Sequence, residues 1–306
     1  MGKKRVLISN DDGINAPGLR ALVEALVSDG TCTVCVCGPA DEQSAKSHAI
    51  TLGRPLLSYP ISVPDVEEAF AVEGTPADSV MLGLSGLMFK DGADFDLCVG
   101  GINRGDNCGL HVIYSGTVGA AREAACKGLP SLAVSLDDTR ARDIAAFRPA
   151  ARITAALIKA LLRDEGDGGG HRLRALVGSV LNINFPAGSR VRGLYLAHQG
   201  SACVFPAFKE VYEEVSSNGC ASDGRRLFRN TGGGMQWDGT PGSDTWAVRE
   251  GWASVTPLGL RSDLAFGHES GAADPLGAAD VPRVAAALMR AAAAELDLEV
   301  GGVSKL

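Results

Sequence analysis

The chain reads as an α/β protein with a mainly parallel sheet and helices on both faces. Short apolar runs alternate with longer amphipathic stretches through its first half. Each run ends in a cluster of Asn, Asp, Gly or Pro, the residues that turn a chain.

The elements follow in order. Arg5 to Ser9 is a short buried strand. Pro17 to Ser28 is a helix, with Leu19, Leu22, Val23 and Leu26 on one face and Pro17 in the tolerated first turn. Thr31 to Cys37 and Phe70 to Val72 are strands, and Ala77 to Met88 is a helix. Asp96 to Val99 is a strand, Thr117 to Lys127 a helix and Ser131 to Leu136 a strand. Ile144 to Leu162 is a long helix rich in Ala and Leu, Gly166 to Gly170 a surface loop, and Ala175 to Phe185 another strand.

After Pro186 the character changes. Val211 to Val215 and Leu227 to Asn230 read as strands around a polar connection, Ser216 to Gly224. A Gly-rich stretch, Thr231 to Gly242, follows, and Trp246 to Val255 reads as a further strand pair. Val281 to Leu296 is a closing helix. The expected division is a core over 1–200, a β-hairpin extension for oligomer contacts over 201–255, and a C-terminal segment over 256–306.

Composition removes several classes of function. The 306 residues are 45% apolar but only 5% aromatic, so an aromatic platform for single-stranded nucleic acid is not expected. The net charge of −7 gives no counterion-release gain on DNA or RNA, so no nucleic-acid polymer is expected as partner. No apolar stretch spans a bilayer and no signal peptide is visible, so the expectation is a cytoplasmic protein without membrane contact. Ser304–Lys305–Leu306, at a C-terminus in a eukaryote, is a peroxisomal matrix address. The eight cysteines are too sparse for a disulfide framework. Cys32 and Cys35 have one zinc-like spacing, but in a strand they point to opposite faces. Buried reduced thiols are expected.

Chemistry is sought beyond the carboxyl ends of the strands, where open α/β sheets bind ligands. Ser9–Asn10–Asp11–Asp12–Gly13 follows the first strand, Gly38 to Ser44 the second, and Gly100 to Asn107 the central one. Adjacent carboxylates at the end of a buried strand repel unless a cation or proton lies between them. Asp11 and Asp12 therefore suit a hard divalent cation, although a solvated turn capping the next helix uses the same residues. Tyr114–Ser115–Gly116–Thr117 opens a helix of small residues, offering free amides, hydroxyls and a positive dipole end for phosphate, or an ordinary N-cap. No G-x-G-x-x-G, D-x-D or G-x-S-x-G motif stands where a dinucleotide site, a phospho-aspartyl mechanism or a serine hydrolase would need it. His48 reads as a packing residue, and His111, His171, His198 and His268 form no ligand spacing.

These blocks, in this order, resemble the SurE family, survival-protein phosphatases that act as 5′/3′-nucleotidases. The matching residues are Ser9 to Ile14, Ala16–Pro17–Gly18, Gln43–Ser44, Ser47–His48 and Ile50–Thr51–Leu52. Gly74 to Asp78, Gly101 to Gly105, Tyr114 to Ala121, Leu181 to Asn184 and Val255 to Leu258 complete the set. The resemblance implies a Rossmann-like three-layer αβα core and an exchanged hairpin that joins subunits into homodimers or homotetramers. It implies one Mg²⁺ or Mn²⁺ per subunit on Asp11, Asp12, Ser44 and Asn103, and a phosphate at Ser115, Gly116 and Thr117. Gly100 departs from the family, which carries a serine there, and the hairpin and tail match poorly.

The implied reaction is direct hydrolysis of nucleoside 5′- and 3′-monophosphates, and of polyphosphate in some members. Asp11, Asp12 and Asn103 are the expected catalytic residues, with Asn107 beside the phosphate turn. The alternatives are a non-catalytic nucleotide- and metal-binding module of the same fold, and a nucleotide-sugar transferase.

Overall fold

The structure, a computed structural model, describes residues 3–66, 68–163, 171–211, 226–260 and 281–303. The expected loop at Gly166 to Gly170, the connection Ser216 to Gly224, His268 and the terminal Ser304–Lys305–Leu306 lie outside the described residues. The elements of the first half are β1 (Lys4–Ser9), α1 (Pro17–Asp29), β2 (Cys32–Pro39), β3 (Ser58–Pro60), β4 (Ala69–Val72), α2 (Pro76–Gly83), β5 (Leu97–Arg104) and α3 (Gly116–Cys126). Then come β6 (Ser131–Leu136), α4 (Ile144–Leu162), α5 (His171–Ala175), β7 (Ser179–Phe185), β8 (Gly193–Leu196), β9 (Cys203–Glu210) and β10 (Phe228–Gln236). The described chain closes with α6 (Asp244–Arg249), β11 (Ala253–Gly259), α7 (Val281–Leu296) and β12 (Glu299–Gly301).

Ten strands form one sheet in the order β12-β8-β11-β7-β6-β5-β1-β2-β4-β3. Only β11 on β7 and β3 on β4 pair antiparallel. Alternation along the strands sorts side chains into two layers. Val6, Ile8, Val34, Val36, Leu97 and Val99 join the layer under α1, α4 and α7. Leu7, Cys35, Cys37 and Cys98 face the other way, with α2 and α3. Each large aliphatic side chain buried here contributes roughly 1.5–3 kcal/mol. A one-residue slip of β1 would exchange both layers, so the register is fixed. This is the three-layer α/β architecture expected from the sequence.

Local chemistry sets the helix ends. Pro17 occupies the first turn of α1, and Gly30, at φ 68°, closes it by donating its N–H to the Leu26 carbonyl at 3.1 Å. Thr75 and Asp78 form a reciprocal capping box at α2. Ser115 and Asp143 cap α3 and α4 with their side chains.

Several expectations are corrected. The helix expected through Met88 stops at Gly83, where Leu84 caps it and a turn with Gly86 at φ 77° follows. The strand expected from Ala175 starts at Ser179, after the short α5. Gly100 to Asn103, read as a loop, continues β5, and a register shift between Gly100 and Asn103 re-aims its end. The first hairpin strand lies earlier than expected: β9 ends at Glu210, Val211 is outside it, and residues 212–215 are outside the described set. Its partner β10, expected over Leu227 to Asn230, runs on to Gln236 through the first half of the Gly-rich stretch. Trp246 to Arg249 is helical, because Ser243 accepts from the Trp246 N–H and Asp244 favours the positive first turn.

Cys32, Cys35, Cys37, Cys98 and Cys108 are buried free thiols, whereas Cys126 is exposed and Cys203 half-buried. Cys32 and Cys35 fall in opposite layers, as strand geometry requires. Burial pushes the Cys37 and Cys98 thiols up to about 12, which keeps them protonated. Among the described residues no helix is long and apolar enough to cross a membrane.

Candidate active site

From β1 the chain proceeds outward through β2 and β4 on one side, and from β5 through β6 and β7 on the other. The strand order therefore reverses between β1 and β5, which opens a crevice beyond their carboxyl ends. Asp11 and Asp12 leave β1 at this point, and Asn103 and Arg104 end β5.

Asp11 is almost fully buried, at 3% exposure, against the first turn of α3. The Thr117 hydroxyl donates to Asp11 Oδ1. A Cβ on Gly116 would stand 2.8 Å from Asp11 Cβ, so only glycine lets the helix end approach so closely. A Cβ on Gly100 would meet the Thr117 carbonyl at 2.5 Å. Gly100 thus lets α3 rest directly on β5.

Asp12 is held from the other side. Its Oδ2 accepts the Arg104 N–H at 2.8 Å, and Arg104 Nη2 lies 3.9 Å from its Oδ1. The two carboxylates are gripped by different elements, Asp11 by the start of α3 and Asp12 by the end of β5, rather than splayed into solvent.

Burial, opposed by the Thr117 hydroxyl and reinforced by the Asp12 charge, pushes the Asp11 carboxyl up to about 6. Burial also raises Asp12, against the Arg104 amide and guanidinium. Among the described residues no cation pairs with Asp11, and the Arg104 guanidinium only partly offsets the burial of Asp12.

Asn103 Nδ2 donates to the Gly105 carbonyl at 2.8 Å, and no donor among the described residues engages its Oδ1. Ser44 is exposed and its hydroxyl donates to Glu42 Oε1 at 2.9 Å. Its loop is nonetheless tied to the crevice, because the Gln43 N–H donates to the Asp11 carbonyl at 2.7 Å. Asn107 is buried in a network: its Nδ2 donates to Ser135 Oγ and its N–H to Asn184 Oδ1, both at 2.7 Å. Ser115 Oγ accepts the Val118 N–H at 3.0 Å, which is ordinary capping, while Gly116 and Thr117 lie against Asp11.

The structure adds residues that the sequence reading passed over. Arg104 reaches Asp12 and also Glu42, at 3.5 Å, and its position directly after Asn103 was the available signal. Asp78 fixes the loop beyond Ser44 by accepting the Thr51 N–H and hydroxyl. His48 Nε2 pairs with Glu123 Oε2 at 2.8 Å, in keeping with a packing role. His111 lies 2.9 Å from Asp106 Oδ1, which raises its pKa.

The donors in the crevice are all oxygens, a set that fits Mg²⁺ or Mn²⁺ better than zinc or copper. Among the described residues no group of three or more His, Cys, Asp and Glu side chains comes together. A cation here would draw on the two carboxylates and on neutral oxygens such as Asn103 Oδ1.

Fold and crevice together define a doubly wound α/β protein whose switch point carries a carboxylate pair and a helix N-terminus. The comparisons with known proteins give the family. The family described as "Survival protein SurE" matches residues 6–205. A curated 5′-nucleotidase SurE from Synechococcus sp. (strain JA-3-3Ab) is 37% identical over 258 residues, covering 83% of this chain and 90% of that protein. Its counterpart from Syntrophotalea carbinolica is 39% identical over 256 residues, covering 83% and 91%. The crystal structure of the SurE protein from Aquifex aeolicus superposes with a TM-score of 0.64 at 30% identity, covering 85% of this chain and 94% of that one. The chain belongs to the SurE family.

Proposed function

We propose that the protein is a metal-dependent phosphomonoesterase that hydrolyses nucleoside 5′- and 3′-monophosphates to nucleoside and phosphate. The observation that carries this reading is the buried Asp11 beside Asp12, with the N-terminal turn of α3 packed on it. That pair invites a cation where a phosphate-binding helix end already points. The curated relatives named 5′-nucleotidase support the substrate class.

In this reading Asp11, Asp12, Ser44 and Asn103 hold one Mg²⁺ or Mn²⁺ per subunit. When bound, such an ion supplies Lewis-acid charge to a phosphate oxygen and a water of lowered pKa. The chain's own residues do the rest. The Ser115–Gly116–Thr117 turn binds the phosphate through its amides and the dipole of α3. Asn107, fixed by Ser135 and Asn184, offers a rigid polar edge beside it. Asp11 or Asp12 orients the attacking water, and Asn103, its amide nitrogen anchored on the Gly105 carbonyl, offers its oxygen to the cation.

The reading includes a homodimer or homotetramer joined through the hairpin of residues 201–255, with 1–200 as catalytic core and 256–306 as closing segment. Phe208 and Phe228 on one face of that hairpin and Phe205 on the other are 64%, 52% and 59% exposed, apolar side chains that a second copy would cover. It also includes a cytoplasmic location, where nucleotide substrates are abundant.

The test is phosphate release from 5′-AMP and 3′-AMP with Mg²⁺, Mn²⁺ or EDTA. Asp11→Ala and Asp12→Ala should lose activity by orders of magnitude. Full activity in both variants, or activity undiminished by EDTA, would overturn the proposal. Binding of AMP without turnover would instead identify a non-catalytic module.

A further inference from the structure

Beyond the ends of β2 and β4 lies a polar cleft of about 380 Å³, lined by Asp41, Gln43, Thr51, Arg54, Glu73 and Thr75 among others. That volume falls in the range of small-molecule sites. The walls of the cleft touch the residues of the crevice at two points. Gln43 is bonded through its N–H to the Asp11 carbonyl, and Pro76, next to Thr75, lies 3.1 Å from where a Gly116 Cβ would stand.

One carboxylate behind the lining holds two of its residues, Thr51 and Thr75. Asp78 is 2% exposed and accepts from the Thr51 N–H at 2.8 Å, the Thr51 hydroxyl at 2.6 Å and the Thr75 N–H at 2.9 Å. Four lining side chains remain uncommitted. Among the described residues, the side chains of Asp41, Gln43, Arg54 and Glu73 have no hydrogen-bond or ion-pair partner. Pockets with a few convergent polar groups are the usual form of a ligand site.

The charges say which part of a ligand fits. Two free carboxylates repel a phosphate, so the cleft suits a neutral moiety. Hydroxyl and amino groups would donate to Asp41 and Glu73. A planar heteroaromatic ring would stack on the Arg54 guanidinium. The spacing agrees. Neighbouring strands stand about 4.8 Å apart, so the cleft at β2 and β4 lies roughly 5–10 Å from the end of β1. That is the scale separating phosphate from base in a mononucleotide.

We infer that this cleft is the nucleoside subsite of the enzyme, with Arg54 and Glu73 as the residues that recognise base and ribose. The inference rests on the nucleotidase reading and names the part of the substrate that gives it specificity. Both side chains are exposed and outside the carboxylate pair and the phosphate turn, so their replacement leaves the chemistry in place.

The experiment compares kcat/KM for AMP and for p-nitrophenyl phosphate in the parent, Arg54→Ala and Glu73→Gln, with matched melting curves. Adenosine is also used as a competitive inhibitor of p-nitrophenyl phosphate hydrolysis. Each variant should lose about tenfold on AMP and stay within about twofold on p-nitrophenyl phosphate. Adenosine inhibition should weaken in step. Equal losses on both esters, or AMP kinetics unchanged in both variants of an active enzyme, would overturn the subsite alone. A parent protein that hydrolyses neither ester would overturn the nucleotidase reading, and the subsite with it.

Discussion

The crevice at β1 and β5 and the hairpin of β9 and β10 are built on opposite principles. In the crevice the candidate residues other than exposed Ser44 are buried or, at Asp12, half-buried, and neighbours grip them: Asp11 by Thr117, Asp12 by Arg104, Asn107 by Asn184. The hairpin pairs with itself in a separate two-stranded sheet and carries exposed aromatics along both strands. The first region is over-determined within one chain, and an isolated two-stranded ribbon is marginal in water. The crevice residues are held by contacts within one chain, whereas the described hairpin strands pair only with each other.

The largest expected effect separates stability from activity in the crevice. Asp11→Asn keeps the shape and the oxygen that accepts from Thr117 but removes the charge. Activity should fall by orders of magnitude, while the metal-free protein should become more stable at pH 7.5. An aspartate displaced from 3.8 to about 6 opposes folding by up to about 3 kcal/mol when ionised. Calorimetric melting in EDTA measures this; a lower melting temperature would contradict it.

Next comes Gly116→Ala. Its methyl would stand 2.8 Å from Asp11 Cβ and 3.1 Å from Pro76, so α3 must move off the carboxylate. A loss of about 1–3 kcal/mol in denaturant titrations and a strong fall in kcat are expected. The matching change in the hairpin, Phe205→Asp with Phe228→Asp, should leave the core's melting nearly unchanged. Sedimentation should then show a smaller species than the parent forms.

A smaller effect follows from pH. Burial also holds Asp137 at about 6, helped by the charges of Asp106 and Asp138. For Asp11 and Asp137 alike the folded value lies above the ordinary 3.8. Their stabilising contribution is complete below about pH 3.8 and is lost as pH rises through 6. Melting temperatures in EDTA should therefore fall between about pH 4 and 6, and Asp11→Asn should remove part of that fall.

The same contrast explains what the sequence could disclose. Strands and helices of the core were legible because period and burial agree: Val6, Leu7 and Ile8 alternate between two packed layers. The approach of α3 to Asp11 was legible only as a small-residue turn, because Gly116 acts through the space it leaves. Arg104 was passed over because its N–H reaches Asp12 only after the bulge at Gly100 to Asn103 turns the strand end. The hairpin strands were misplaced because Gly232 to Gly234 carry no apolar alternation, and pairing with β9 alone makes them a strand. Trp246 was assigned to a strand by its apolar neighbours, and the Ser243 cap decided otherwise.

The central claim is that Asp11 and Asp12 together bind a divalent cation. Calorimetric titration of Mn²⁺ into EDTA-stripped protein at pH 5.5 and 7.5 tests it without any substrate. One site per chain is expected, weaker at pH 5.5 where a proton competes for Asp11, and lost in Asp11→Asn. Binding of equal strength in parent and variant, or none in the parent, would contradict it.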